Sequence, residues 1–274
     1  MWHYLNNQWV KTDDLKISAF DLAIVRGFGV FDFLRTYNKK PFFLEQHLDR
    51  FFNSLKILKM KSVKTKKEIK KIVEEGIMKN NFAETNIKII QTGGESDDGI
   101  TPKGKYNFIV MFSPATIYPK NYFEKGIKII TYLFSRLFPK AKSLNYLAGV
   151  LAIKKAKKQK AVEALYIDDK KIYECITSNF FAVIGEKIAT PKEDILLGIT
   201  RRIVIDLAKK MGFKVEERNL FLKEIPNFSE AFITSSTREI MPVIAIDNQK
   251  INGGKLGKIT KILMKEFKNL TKNY

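Results

Sequence analysis

AKSLNYL, residues 141–147, sets a lysine, Lys142, directly ahead of the apolar run NYLAGVLAIKKA at 145–156 and behind an irregular, basic stretch. A lysine fixed at the start of an apolar helix is awkward, because taking an ammonium out of water is costly unless a partner or a reaction uses it. An amine held away from water is also a nucleophile able to condense with an aldehyde. Such chemistry also needs partner groups elsewhere in the chain.

The composition admits it. With 274 residues and 45% hydrophobic content the chain can bury a substantial core, in one large or two medium domains. The opening MWHYLNNQWVKTDD lacks the basic start and continuous apolar block of a secretory signal and predicts two short strands around Asn6 and Asn7. Apolar runs such as FIVMF at 108–112 fall far short of the ~20 residues of a membrane span. A single cysteine, Cys175, excludes an intrachain disulfide and suits a reducing cytoplasm, the expected location. The formal charge of +20 raises the possibility of a nucleic-acid partner. Its lysines, at 59–71, 154–160, 209–214 and 250–272, fall mostly at helical spacing opposite Ile, Leu and Val, as solvated helix faces do, so no nucleic-acid partner is expected.

Leu44, Leu48, Phe51, Leu55 and Leu58 follow the spacing of an amphipathic helix, and Thr65 with Glu68 forms a capping-box pattern for a second. Strand-like runs follow at 86–92 and 107–112, separated by GGESDDGITPKGKY, 93–106, a loop longer than a hairpin needs. The proline-bearing SPATIYPKN, 113–121, predicts a linker at 116–121, dividing a smaller domain, 1–115, from a larger one, 122–274. In the second come a strand at 127–133, a helix at about 145–159, several short strands, a helix at about 200–211 ending at Gly212, and a terminal helix from Gly257. Such mixing without regular alternation predicts an α+β fold.

Several signals carry little. GGKLGKIT, 253–260, is one residue short of a phosphate loop and has Ile259 where Ser or Thr is required. His3 and His47 are the only histidines, too few for imidazole-based metal sites or a serine-hydrolase triad, and no metal is expected. Cys175 reads as a small buried residue.

The informative constellation is Lys142, then Glu174 in YECITSNFF, then LLGIT at 196–200, then ITSSTREIMPV at 233–243. A carboxylate such as Glu174 could hold a pyridine nitrogen protonated. Thr200 precedes the amphipathic run RRIVIDLAKK as a helix cap whose neighbouring amides could bind a phosphate, and Arg50 could add a bidentate contact. Together these groups describe pyridoxal 5′-phosphate. Each also has an ordinary alternative: a surface lysine, a salt-bridged glutamate, an N-cap, a solvated arginine.

The order KSLNYL, E-x-x-x-S-N at 174–179, LLGITR at 196–201 and F-I-T-S-S-T-R-E-I-x-P-V at 232–243 resembles the class IV, fold type IV pyridoxal-phosphate enzymes. These include the D-amino-acid and branched-chain aminotransferases and aminodeoxychorismate lyase. Upstream, GFGVFDFLRTY (27–37) and FFLEQHLDRFFNSL (42–55) resemble the family's G-D-G-V-F-E and H-x-x-R-L segments, so the likeness covers nearly the whole chain. The resemblance implies a two-domain fold type IV enzyme of the D-amino-acid aminotransferase type, with the cofactor between the domains and 122–274 as its main binding domain. It also implies a homodimer, acting on an amino acid and a 2-oxo acid. It makes Lys142 the Schiff-base lysine and proton carrier, and Glu174 the partner of the pyridine nitrogen. Arg50, Ile199 (through its amide), Thr200 and Ser236 would hold the phosphate. Ser178 and Asn179 would support Glu174, and Tyr146 and Phe31 would border the pocket.

The departures bear on the substrate. Phe28 stands where the family commonly has Asp, and Asp32 replaces Glu. The arginine that D-amino-acid enzymes carry just before Gly93 is missing, and Asn86 and Lys88 stand in place of the aromatic-x-Arg pair of branched-chain enzymes. Lys88, Arg26, Arg35 and Arg238 are candidate substitutes for the lost carboxylate trap, each with a structural or surface-charge alternative, and Arg238 is favoured because it directly follows Ser235, Ser236 and Thr237 at the expected pocket. The leading expectation is an aminotransferase acting on branched-chain L- or D-amino acids. The alternatives are 4-amino-4-deoxychorismate lyase and a basic nucleic-acid-binding protein on a degenerate enzyme scaffold.

Overall fold

The computed structural model describes all 274 residues, which form two compact units. The first comprises Met1–Thr116, Lys140–Tyr146 and Tyr274; the second comprises Ile117–Pro139 and Leu147–Asn273.

In chain order the first unit contains β1 (Trp2–Leu5), β2 (Gln8–Lys11), α1 (Leu22–Arg26), β3 (Gly29–Tyr37), β4 (Lys40–Pro41), α2 (Leu44–Ile57), α3 (Lys66–Asn80), β5 (Thr85–Thr92) and β6 (Phe108–Pro114). Its six strands form one sheet in the order β2-β1-β6-β5-β3-β4. The expected capping box at Thr65 and Glu68 starts α3, both reciprocal bonds being made. The apolar stripe of α2, Leu44, Leu48, Phe51 and Leu55, is buried in a core with Ile69, Val73, Val30, Leu34, Ile87 and Ile89. Each such side chain contributes roughly 1.5–3 kcal/mol before the entropy of ordering is subtracted.

A second stripe on α2 is polar. His47, Arg50 and Ser54 recur at i, i+3 and i+7, so they share a flank of the helix. The alternation along β3 buries Val30, Asp32 and Leu34 and leaves Phe31 and Phe33 half-buried, because successive strand residues face opposite ways. Lys88 lies opposite Phe33 in the β3–β5 register, so Lys88 and Phe31 share the sheet face turned away from the core.

The expected boundary and the structure differ at 140–146. This segment packs with the first unit because its backbone is tied there. The Phe31 N–H donates to the Lys142 carbonyl at 2.9 Å, and the Leu144 N–H to the Gly29 carbonyl at 2.9 Å. The Lys142 N–H donates to Ser54 Oγ at 3.0 Å.

The second unit contains α4 (Lys120–Glu124), β7 (Ile127–Leu133), α5 (Leu147–Lys158), β8 (Glu163–Ile167), β9 (Lys171–Cys175), β10 (Asn179–Ile184), β11 (Lys187–Thr190), α6 (Ile199–Lys210), β12 (Val215–Glu217), β13 (Leu220–Phe221), β14 (Glu230–Ser235), β15 (Glu239–Ile246), β16 (Gln249–Lys250) and α7 (Lys258–Lys272). Its ten-stranded sheet runs β12-β11-β10-β14-β15-β7-β8-β9-β13, with β16 on β15. Ile127, Ile129, Phe180, Ile233, Met241 and Val243 belong to its core. The loop-like 253–260 stretch is a turn before α7. The amides of Ile259 and Thr260 are taken by the Glu230 carboxylate, at 2.9 and 2.7 Å, so this helix start already holds its own anion. No helix is long and apolar enough to cross a membrane.

Candidate active site

In the first unit Lys142 is anchored by its backbone. Three hydrogen bonds hold residues 142 and 144 to α2 and β3, so only the Lys142 side chain is left to move. It is half-buried, whereas Lys140 is exposed. The Lys142 ammonium lies 4.6 Å from the ring centre of Phe31, and the Lys88 ammonium lies 4.9 Å from the same ring. Tyr146 meets Phe31 edge-on at 5.6 Å. Burial, reinforced by the charge of Lys142, pushes the Lys88 ammonium pKa below the usual lysine value.

Arg50 stands on the polar stripe of α2. Its Nε donates to Asp32 Oδ2 at 2.8 Å and its Nη2 to Asp32 Oδ1 at 2.8 Å, while His47 Nδ1 donates to Asp32 Oδ1 at 2.6 Å. Ser54 Oγ, the acceptor of the Lys142 N–H, itself donates to the Arg50 carbonyl at 2.9 Å. Burial disfavours a charged Asp32, but Arg50 and His47 together outweigh it and hold its carboxyl well below the ordinary range. Burial also lowers the His47 pKa despite the neighbouring Asp32, which leaves a neutral imidazole beside an Asp–Arg pair.

In the second unit Glu174, at the end of β9, is buried. Its Oε1 accepts Arg136 Nε at 2.8 Å and its Oε2 accepts Asn179 Nδ2 at 3.3 Å. Asn179 Nδ2 also donates to the Leu196 carbonyl at 2.7 Å, tying β10 to the start of α6. The N-cap of α6 is Gly198, not the expected Thr200, which lies inside the first turn. The backbone is still extended at Gly198 and turns helical from Ile199, and a Cβ at Gly198 would come within 2.0 Å of Asn179 Oδ1, so the cap position takes glycine. The cap has no side-chain hydrogen bond, so the amides of Ile199 and Thr200, which have no partner within the helix, remain the natural seat of an anion.

Ser236 and Thr237 lie half-buried in the turn between β14 and β15, and Tyr118 Oη is 3.1 Å from Thr237 Oγ1. Arg238, favoured from sequence for the substrate carboxylate, is engaged within its own unit. Its Nη1 donates to Thr177 Oγ1 at 2.6 Å and lies 3.4 Å from Ser178 Oγ and 3.1 Å from the buried Glu163. Arg26 is exposed and donates to the Val25 carbonyl, and Arg35 lies over the Tyr37 ring. Within the first unit, Lys88 is brought to the ring that Lys142 touches.

The donor set fits pyridoxal phosphate. Glu174 is a buried carboxylate that could accept a ring N–H, and a glycine-started helix has uncapped amides that could bind a phosphate. Three contributors were not picked out from sequence: Asp32 and His47 as partners of Arg50, and Arg136 as partner of Glu174. The i, i+3 spacing of His47 and Arg50 was the one available signal for the first two. Nothing local marks Arg136, which lies 38 residues from Glu174.

A family model described as amino-transferase class IV matches residues 29–246. A Methanocaldococcus jannaschii protein provisionally named a branched-chain-amino-acid aminotransferase is 38% identical over 275 residues, covering 97% of this chain and 95% of its own. The D-alanine aminotransferase of Listeria monocytogenes is 32% identical over 270 residues, covering 96% of this chain and 93% of its own. Among solved structures, the Escherichia coli branched-chain amino acid aminotransferase superposes with a TM-score of 0.93 at 26% identity, over 99% of this chain and 95% of that one. The T.th. branched-chain enzyme with pyridoxamine 5′-phosphate gives 0.94 at 27% identity, over 99% and 94%.

Proposed function

The chain belongs to the class IV aminotransferases, enzymes that use pyridoxal 5′-phosphate, and on that premise we propose that it exchanges an amino group between a branched-chain amino acid and a 2-oxo acid. The greater identity to the branched-chain relative than to the D-alanine enzymes, 38% against 32%, supports this donor class. The observation that carries the assignment is the placement of Lys142: its backbone is tied down at both the N–H and the carbonyl, and its amine is free to reach a bound aldehyde.

When bound, the cofactor supplies an aldehyde that joins amines covalently and a protonated ring that withdraws electrons from the substrate α-carbon. Lys142 would take the α-proton and deliver it to the former aldehyde carbon, across the intervening nitrogen, a transfer its long side chain can make from a fixed backbone. Glu174 would hold the proton of the ring nitrogen, with Asn179 keeping its carboxylate in place and Ser178, whose Oγ accepts from Arg238, supporting the bend that follows it. Arg50, the amides of Ile199 and Thr200, and Ser236 bind the phosphate. Phe31, Tyr146 and Thr237 border the substrate. Lys88, a half-buried ammonium beside the reacting amine, takes the substrate carboxylate in place of the arginines the family uses.

A homodimer is supported by apolar side chains left to water in a single chain: Phe20 and Ile24 are 73% and 56% exposed in the first unit, and Leu147 and Leu151 of α5 are 70% and 50% exposed in the second. A buried, unpaired Cys175 suits a cytoplasmic location.

Borohydride reduction of protein supplied with pyridoxal phosphate, followed by peptide mapping, tests the assignment. The adduct is expected at residue 142, lost in Lys142→Ala and kept in Lys140→Ala; an adduct elsewhere refutes it. Turnover is then measured with branched-chain donors and 2-oxo acids. Release of pyruvate from aminodeoxychorismate with no acceptor present would instead assign the lyase reaction.

A further inference from the structure

Arg136, just beyond β7, makes a second use of its guanidinium besides its bond to Glu174. Its Nη2 donates to the Ile176 carbonyl at 2.6 Å, and its Cζ lies 5.4 Å from the ring centre of the buried Tyr166. The Arg136 side chain is 14% exposed and that of Glu174 is 4% exposed. The guanidinium is thus held on one edge of a nearly dry carboxylate from three directions.

A carboxyl group in such a place favours its neutral form, because burial penalises charge. Opposite a pyridine nitrogen, a neutral acid would keep the shared proton on oxygen. The nitrogen would then be uncharged and the ring a weaker electron acceptor. A fixed cation on the far side of the carboxylate reverses this preference, since it stabilises the anion in a site of low dielectric. We infer that Arg136 is a positioning residue that holds Glu174 as the anion, so that the proton shared with the ring of a bound cofactor rests on nitrogen. The inference depends on Glu174 facing the ring nitrogen, as proposed above.

The test uses holoenzyme loaded with pyridoxal phosphate labelled with 15N in the ring, whose resonance separates pyridinium from pyridine. Wild type and Arg136→Lys, which keeps the charge, are expected in the pyridinium range. Arg136→Gln and Glu174→Gln are expected to move toward pyridine. Cofactor affinity, measured by titrating the cofactor-free protein, is expected to fall about tenfold or more in Arg136→Gln, as follows when one partner of a buried pair is removed. The same change in the Glu174→Gln background is expected to cost about threefold or less, because residues acting through one another are not additive.

A pyridinium resonance in Arg136→Gln, or an equal affinity loss in both backgrounds, overturns the inference and leaves Glu174's role intact. A pyridinium resonance in Glu174→Gln overturns the role of Glu174 itself. Should Arg136→Gln fail to take up cofactor, Arg136→Lys decides: pyridinium supports the inference, pyridine overturns it.

Discussion

Replacing Asp32 by Asn removes one negative charge from the first unit while preserving shape. Asp32 is fully buried and accepts four donors: His47 Nδ1, Arg50 Nε, Arg50 Nη2, and the Phe33 N–H at 2.7 Å. The amide can satisfy some of these through its oxygen, but its NH2 must then point at a donor. Charges about 4 Å apart attract by ~4 kcal/mol at an effective dielectric of 20. Breaking such a buried pair costs ~3–5 kcal/mol, because the surviving Arg50 is left uncompensated. Both tryptophans, Trp2 and Trp9, lie in the β1–β2 hairpin, so their fluorescence reports unfolding of this unit selectively.

In urea titration of the cofactor-free protein, with a slope near ~2 kcal/mol/M, the midpoint should fall by ~1.5–2.5 M. Because the folded Asp32 carboxyl titrates below its usual value, its stabilisation is present at neutral pH and down to the unfolded pKa of 3.8, then is lost as pH falls through the depressed folded value. The deficit of Asp32→Asn should therefore persist across the neutral range. Adding Arg50→Gln should cost less than the sum of the single changes. A loss below ~1 kcal/mol, or strict additivity, would refute the view of this pair as a buried, coupled unit.

Lys88→Met should raise KM for the amino donor by ~10–150-fold with kcat little changed, the signature of a lost charge-assisted bond of ~1.5–3 kcal/mol that binds ground and transition states alike. Since anion binding needs the protonated amine and the Lys88 pKa is lowered, wild-type KM should climb with rising pH before an ordinary lysine at 10.5 would release its proton; a flat KM up to that value counts against Lys88. His3 is buried, its Nδ1 accepting the Phe112 N–H at 3.2 Å, and burial lowers its pKa. The unfolded chain then binds protons more readily than the folded one. Stability of the first unit, followed by tryptophan fluorescence in urea, should decline as pH falls below ~6.5. His3→Gln should reduce that slope, leaving the share due to His47, and an unchanged slope would exclude His3 as a contributor.

Local patterns in the chain were enough to place its elements. The spacing of Leu44, Leu48, Phe51 and Leu55 marks α2, the Thr65–Glu68 box starts α3, and Gly257 precedes α7, because apolar periodicity and capping depend on residues a few positions apart. Motifs in order likewise pointed to the class IV fold, the cofactor and the candidate roles of Lys142 and Glu174. What the chain alone could not decide are contacts made across long separations. Thr200 reads as a cap, but the helix already starts at Ile199, after an extended Gly198 that Asn179 approaches too closely for any side chain. Arg238 looked free until Glu163 and Thr177 were found against it. Segment 140–146 lies with β3 and α2 though more than eighty residues separate Lys142 from Ser54. Secondary structure and family were thus determined by neighbours in sequence. Which charges are spent on one another and which remain for a ligand was decided only by tertiary packing, because an ion pair depends on distance in space, to which sequence spacing is nearly blind.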